Sequence, residues 1–169
     1  MSFINLFPTL DLFVIFLFVV FVLLHLIFVK KSKLLINFIS IYTSFALVII
    51  LPLFVPQVAA WLATYYWVRA AAFVGVYVLL GFILHFSNVL EFSGKVSPTE
   101  FITSLVYRIG IIGLLFTTIL YFLPAGFKVQ FGVAVQTLFV NFIALVIWFF
   151  VPIFFAFAFK FKTRRGWLE

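Results

Sequence analysis

LDLFVIFLFVVFVLLHLIFVKKSK, residues 10–33, holds a 20-residue apolar run with a single acid, Asp11, in its first turn, and it ends abruptly at Lys30, Lys31 and Lys33. About 20 apolar residues in a helix cross a hydrocarbon layer of roughly 30 Å, and a helix satisfies its own backbone where no water is present to do so. No basic residue precedes the run and no small-residue cleavage site follows it, so it reads as a retained membrane helix and not as a cleaved signal peptide.

The rest of the chain repeats the pattern. Residues 34–55 form a second run bounded by Pro52 and Pro56, and a third covers residues 68–86. Ahead of the third lies PQVAAWLATYYW, residues 56–67, whose Trp61, Tyr65, Tyr66 and Trp67 suit an interfacial aromatic belt on a short helix along the bilayer surface. The fourth run, residues 98–123, opens with a capping box: Ser97 at the cap, Pro98 in the first position that needs no donor, and Glu100. LPAGFK, residues 123–128, ends it. The fifth, residues 131–159, would be about 43 Å long as a straight helix, so it must tilt, kink at Pro152 or begin with an interfacial turn.

Composition agrees with this segmentation. Of 169 residues 67% are hydrophobic and only 9% charged, where soluble domains carry about a quarter charged residues. The fold class is therefore all-α, a polytopic integral membrane helical bundle of about five transmembrane helices, with four the alternative, forming one transmembrane domain over residues 1–169. The formal charge of +7 is not a nucleic-acid footprint, because the basic residues cluster at the ends of apolar runs. Five crossings with the N-terminus outside and the C-terminus cytoplasmic put nine of the eleven basic residues inside, leaving Arg69 and Lys128 outside. The positive-inside rule favours that arrangement, in a multi-pass protein of the cell (inner or plasma) membrane.

Ionisable residues near the runs are few. Arg108 stands about three turns into the fourth helix, near its cytoplasmic end, where a long stem lets the guanidinium reach phosphates or Glu100. It reads as an interfacial charge and not as a working charge in mid-membrane. Asp11 and Arg69 begin their helices at similar depths on the outer side and form a possible ion pair. His25 and His85 read as interfacial histidines bonded to backbone or water. The remaining polar and small residues recur at helical spacing: Asn37, Ser40 and Ser44; Ala71 and Gly75; Gly110, Gly113 and Thr117; Thr137, Asn141 and Ala144. Small residues let helix backbones approach closely, so these stripes are helix-packing surfaces.

The order of features resembles the colicin V production protein family of small bacterial inner-membrane proteins. Asp11 at the head of the first helix, VKKSKLL at residues 29–35, RAAAFVGVYVLL at 69–80 and YRIGIIGLLFTTILYFLP at 107–124 carry the likeness. The chain departs from that pattern in lacking a glycine at the basic turn and in its long fifth run. The resemblance implies an indirect role in secretion or envelope integrity, without a reaction to assign.

No cysteine is present, no GxSxG, HExxH or phosphate-cradling glycine loop occurs, and no acid–histidine spacing suggests a metal. The expectation is a protein that is not an enzyme, with no catalytic residues, cofactor or metal. Its partners would be the bilayer and either further copies of itself or another membrane protein, and no nucleic acid. The alternative is an oligomeric small-solute or ion transporter with a polar path built from the Asn37 and Asn141 stripes.

Overall fold

A computed structural model describes residues 10–30, 33–64, 67–87 and 101–158. The capping box at Ser97, Pro98 and Glu100, the tyrosines 65 and 66, and the basic tail beyond residue 159 lie outside the described residues. The chain forms a bundle of helices with no strand among the described residues. Its order is α1 (Leu10–Phe28), α2 (Leu34–Phe54), α3 (Pro56–Thr64), α4 (Val68–His85), α5 (Phe101–Phe122), α6 (Ala125–Lys128) and α7 (Val133–Val135), then a π-helical turn (Gln136–Val140) and α8 (Phe142–Ala158). Helices α1, α2, α4 and α5 are each long and apolar enough to cross a membrane. The bent unit of Val133–Val140 and Phe142–Phe155 makes a fifth span if its two halves count as one.

Proline punctuates α2 as the sequence leads one to expect, at one site of two. Val55, forced toward extended geometry by the proline after it, has φ −123° and ψ 95° and ends the helix, and Pro56 begins α3. Pro52 stays inside α2. Helix α3 is nine residues long and packs against α2 and α4, with Leu62 buried and Trp61 exposed.

The bundle is organised around α5. Tyr107, Ile111 and Leu114, three to four residues apart, face the seven-residue stripe Leu34, Ile41 and Val48 of α2 and the fully buried Phe73 of α4. Spacing of seven keeps one seam of a helix turned to its neighbour. On its other side α5 meets α1 and the fifth span, where Leu120 packs with Val14, Phe131, Val135 and Phe139. Lipid tails are as apolar as leucine, so close contact and internal hydrogen bonds hold such helices together, with little help from the hydrophobic effect. The outer helices accordingly leave much apolar surface outside: Phe13, Phe16, Ile27, Leu53, Val78 and Phe82 are all exposed.

The fifth span breaks at a position that holds no proline. Its halves meet at 49°, and the joint is Asn141, extended at φ −67° and ψ 145°. Just before it, the helix widens into the π-turn, closed by the amide of Asn141 donating to the carbonyl of Gln136 at 2.9 Å. Asn141 then caps the second half, its Oδ1 accepting the amide of Ile143 at 3.1 Å. Pro152, the kink site read from the sequence, lies inside α8.

Candidate functional site

Two polar constellations occupy opposite ends of α1, and each answers one of the charges singled out in the sequence. At the α1 end nearest Lys30, Arg108 is not the snorkelling, interfacial side chain that its position suggested. It is 3% exposed and turned into the bundle. Its Nη1 donates to the backbone carbonyl of His25 and approaches His25 Nδ1 at 3.4 Å, while Nε donates to Ser104 Oγ at 3.3 Å, one turn back on α5. The last four carbonyls of a helix have no partner within it, and they form the negative end of its dipole. His25 lies in that final turn of α1, where its carbonyl already accepts the amide of Val29 at 3.2 Å, and Arg108 adds a second donor there instead of reaching headgroups.

The same contacts fix the tautomer of His25. A guanidinium only donates, so Nδ1 accepts and the ring proton resides on Nε2. Asn37 Nδ2 is placed 2.8 Å from Nε2, so this tautomer requires the carboxamide turned over, with its oxygen accepting the ring N–H. His25, Asn37, Ser104 and Arg108 thus join α1, α2 and α5 in one hydrogen-bonded set. His85 takes no part in it: its ring packs edge-on against Phe86.

At the other end, Asp11 does not form the ion pair with Arg69. Its carboxylate accepts the amide of Gly132 at 2.5 Å and that of Val135 at 3.2 Å, capping the N-terminus of the fifth span from across the bundle. No ion pair joins it to Arg69 among the described residues. Hydrogen bonds to the free amides of a helix N-terminus suit a buried carboxylate better than a cation on an exposed arm. A Cβ on Gly132 would stand 2.7 Å from Asp11 Oδ2, so glycine there is what lets the carboxylate approach. Arg69 is exposed and lines an open cavity of about 470 Å³ with Tyr121, Pro124 and Lys128. Lys128 sits 4.8 Å from the centre of the Tyr121 ring, and burial pushes its ammonium below the usual lysine range.

The packing stripes divide. Ser40, Ser44, Gly110, Gly113 and Thr117 are buried. Gly113 is the seat of Trp148, whose indole would come within 2.1 Å of a Cβ there, and Gly110 rests against Val151 and Pro152. Ala71 and Gly75 lie exposed on α4, and a Cβ at Gly75 would meet nothing within 4 Å. Asn141 is also exposed. It lines an open groove of about 340 Å³ with Lys128, Val129, Gln136, Thr137 and Val140.

Two residues that sequence reasoning passed over hold the fifth span together. Trp148 Nε1 donates to Leu138 O across the bend at 2.7 Å, and its ring stacks on Phe139 at 6.0 Å. Tyr42 donates its hydroxyl to Phe149 O, one residue after the carbonyl that Pro152 leaves without its amide. Aromatic residues make up 22% of the chain, so nothing local marked either of them.

Among the described residues no three His, Cys, Asp or Glu side chains gather as metal ligands. No protein-family model, curated protein or solved structure matches the chain.

Proposed function

We propose that the protein is a small multi-pass component of the cell (inner) membrane that acts by association, as a structural or accessory partner of other membrane proteins, in support of secretion or envelope integrity. The observation that carries this reading is the use made of the two charged side chains buried among the described residues. Asp11 and Arg108 are both committed to helix ends. Ionisable groups inside a membrane protein ordinarily mark an ion or substrate path, and these two are instead engaged in architecture. The colicin V production resemblance points the same way, toward an indirect role. Orientation with the N-terminus outside follows from the nine-to-two distribution of basic residues.

The test is purification of the full chain from its own membrane after gentle solubilisation. A stoichiometric protein partner, whether a second copy or another chain, is the expected result, and a lone monomer in lipid would remove the reading.

One observation favours a transporter as the second reading. Broken spans commonly provide substrate and ion sites, and here the break carries Gln136, Thr137 and Asn141 along an open groove. Proteoliposomes that pass a solute or ion down an imposed gradient, and lose that flux on Asn141→Leu, would establish it. Sealed vesicles would dispose of it.

A further inference from the structure

Trp67 and Phe127 meet edge to face with ring centres 4.5 Å apart, joining the start of α4 to α6. Arg69 lies just beyond the first and Lys128 just beyond the second, so the contact brings both cations to the open cavity of about 470 Å³. They are the two basic residues that the nine-to-two distribution leaves at this end of the bundle. No acid faces them among the described residues that line the cavity. Asp11 is committed to Gly132 and Val135, and Glu91, Glu100 and Glu169 follow the opposite ends of α4 and α8 in the chain. Arg69 is exposed and makes no ion pair among the described residues. Lys128 is half-buried with its ammonium over the Tyr121 ring, and burial deprives it of solvation that an anion would restore.

The cavity has an apolar neighbour. Leu62 of α3 is a wall of it and also of an open groove of about 290 Å³ lined only by apolar residues of α2, α3 and α4. Ala72 and Val76 line that groove, three and seven residues after Arg69, which is the spacing of one helix face. At 1.5 Å per residue they lie about 4.5 and 10 Å further along α4, toward the hydrocarbon. Trp61, also on the groove, is exposed where aromatic side chains mark the membrane interface.

We propose that Arg69 and Lys128 hold the phosphate of an anionic phospholipid whose acyl chain lies in the groove along Ala72 and Val76. The site goes beyond action by association and does not depend on it. A guanidinium offers a fork of donors that matches phosphate, and a lysine ammonium adds a point charge beside it. Basic pockets between membrane helices bind anionic headgroups for this reason. A choline lipid brings its own cation to the same place, where two unpaired cations already stand. A free phosphate satisfies the cations and leaves the groove unused, whereas an amphiphile occupies both.

The test titrates the full-length chain, in a non-ionic detergent, with phosphatidylglycerol or phosphatidylcholine and counts the retained lipid by native mass spectrometry. One phosphatidylglycerol per chain is expected to bind about tenfold more tightly than phosphatidylcholine, and Arg69→Gln combined with Lys128→Gln should abolish that preference. Lys30→Gln, which removes an exposed cation at the opposite end of the bundle, should leave it unchanged. Val76→Phe crowds the groove and should weaken phosphatidylglycerol binding while both charges stay in place. Equal binding of the two lipids, a double variant that keeps the preference, or an equal loss from Lys30→Gln would overturn the proposal. Displacement of the lipid by inorganic phosphate at equal concentration, or binding untouched by Val76→Phe, would overturn the lipid assignment, since the cations would then hold an anion without the groove. Circular dichroism in the same detergent reads folding separately. Arg69→Gln alone, at an exposed position, serves if the double variant does not fold, and no loss of preference from it then counts against the site. Co-purification of a protein partner is scored independently, so failure here leaves the associative reading standing.

Discussion

Arg108 donates to the backbone carbonyl of His25 across the interface of α5 and α1, and so ties a buried charge to the negative end of the α1 dipole. The acceptor is main chain, so the two side chains are not equivalent. His25→Ala keeps the carbonyl and loses only the ring contacts, whereas Arg108→Ala removes the donor to Ser104 and to the ring and one of the two donors to the carbonyl, which keeps the Val29 amide. The expected cost for Arg108→Ala is about 2 kcal/mol or more, with a smaller loss for His25→Ala. Arg108→Lys should resemble Arg108→Ala more than wild type, because lysine has no counterpart of the Nε donor to Ser104. Thermal unfolding of the three variants in one detergent gives the ranking, and a lysine variant as stable as wild type would show that charge alone suffices.

Asp11 and Gly132 form the matching device at the far end. Asp11→Ala exposes two span-initiating amides and should cost about 1 kcal/mol, with Asp11→Asn milder because a carboxamide oxygen still accepts one of them. Gly132→Ala pushes the same carboxylate away from within. Both substitutions destroy one contact, so the double variant should be no worse than about the larger single loss. Fully additive losses would mean that Asp11 and Gly132 act separately.

The spans were legible because a membrane imposes a length on apolar runs: helices α1, α2 and α4 begin and end, and α5 ends, within one residue of the boundaries drawn from the sequence, while the start drawn for α5 lies outside the described residues. What sequence could not show was direction. Arg108 at the right depth can face lipid headgroups or the neighbouring helix, and only the position of the last turn of α1 decides between them. Asp11 and Arg69 each start a helix, which is what suggests a pair in the sequence. The competing partner, a set of backbone amides at Gly132 and Val135, has no side-chain signature. The break at Asn141 escaped for a related reason: asparagine is tolerated within membrane helices, and proline at 152 was the more obvious breaker.

Gly113 tests packing within the chain. The Trp148 ring occupies the space a Cβ would need, so Gly113→Ala must displace the indole that spans the bend. Overpacking of that kind costs about 1–3 kcal/mol. Gly75→Ala, with open space around it, should leave the stability of the isolated chain unchanged. Measured side by side in detergent, equal behaviour of the two glycine variants would contradict this placement of Trp148.

Tyr42 and Pro152 provide a coupling that is open to direct measurement. Proline removes the amide that would close on Trp148 O and crowds the turn around it, and Tyr42 supplies a donor to the adjacent Phe149 O from α2. The hydroxyl thus supports the turn that proline crowds, at the carbonyl next to the one left without its amide. Tyr42→Phe should therefore cost about 0.6 kcal/mol, the common worth of an interhelical bond in a bilayer. In a Pro152→Ala background α8 regains its amide and closes its own ladder, so the same Tyr42→Phe change should cost less. A double-mutant cycle of unfolding free energies measures the difference. A penalty for Tyr42→Phe that is identical in both backgrounds would mean that the hydroxyl and the proline are independent, and that the tyrosine contributes by ring packing against Phe38 and Phe149 alone.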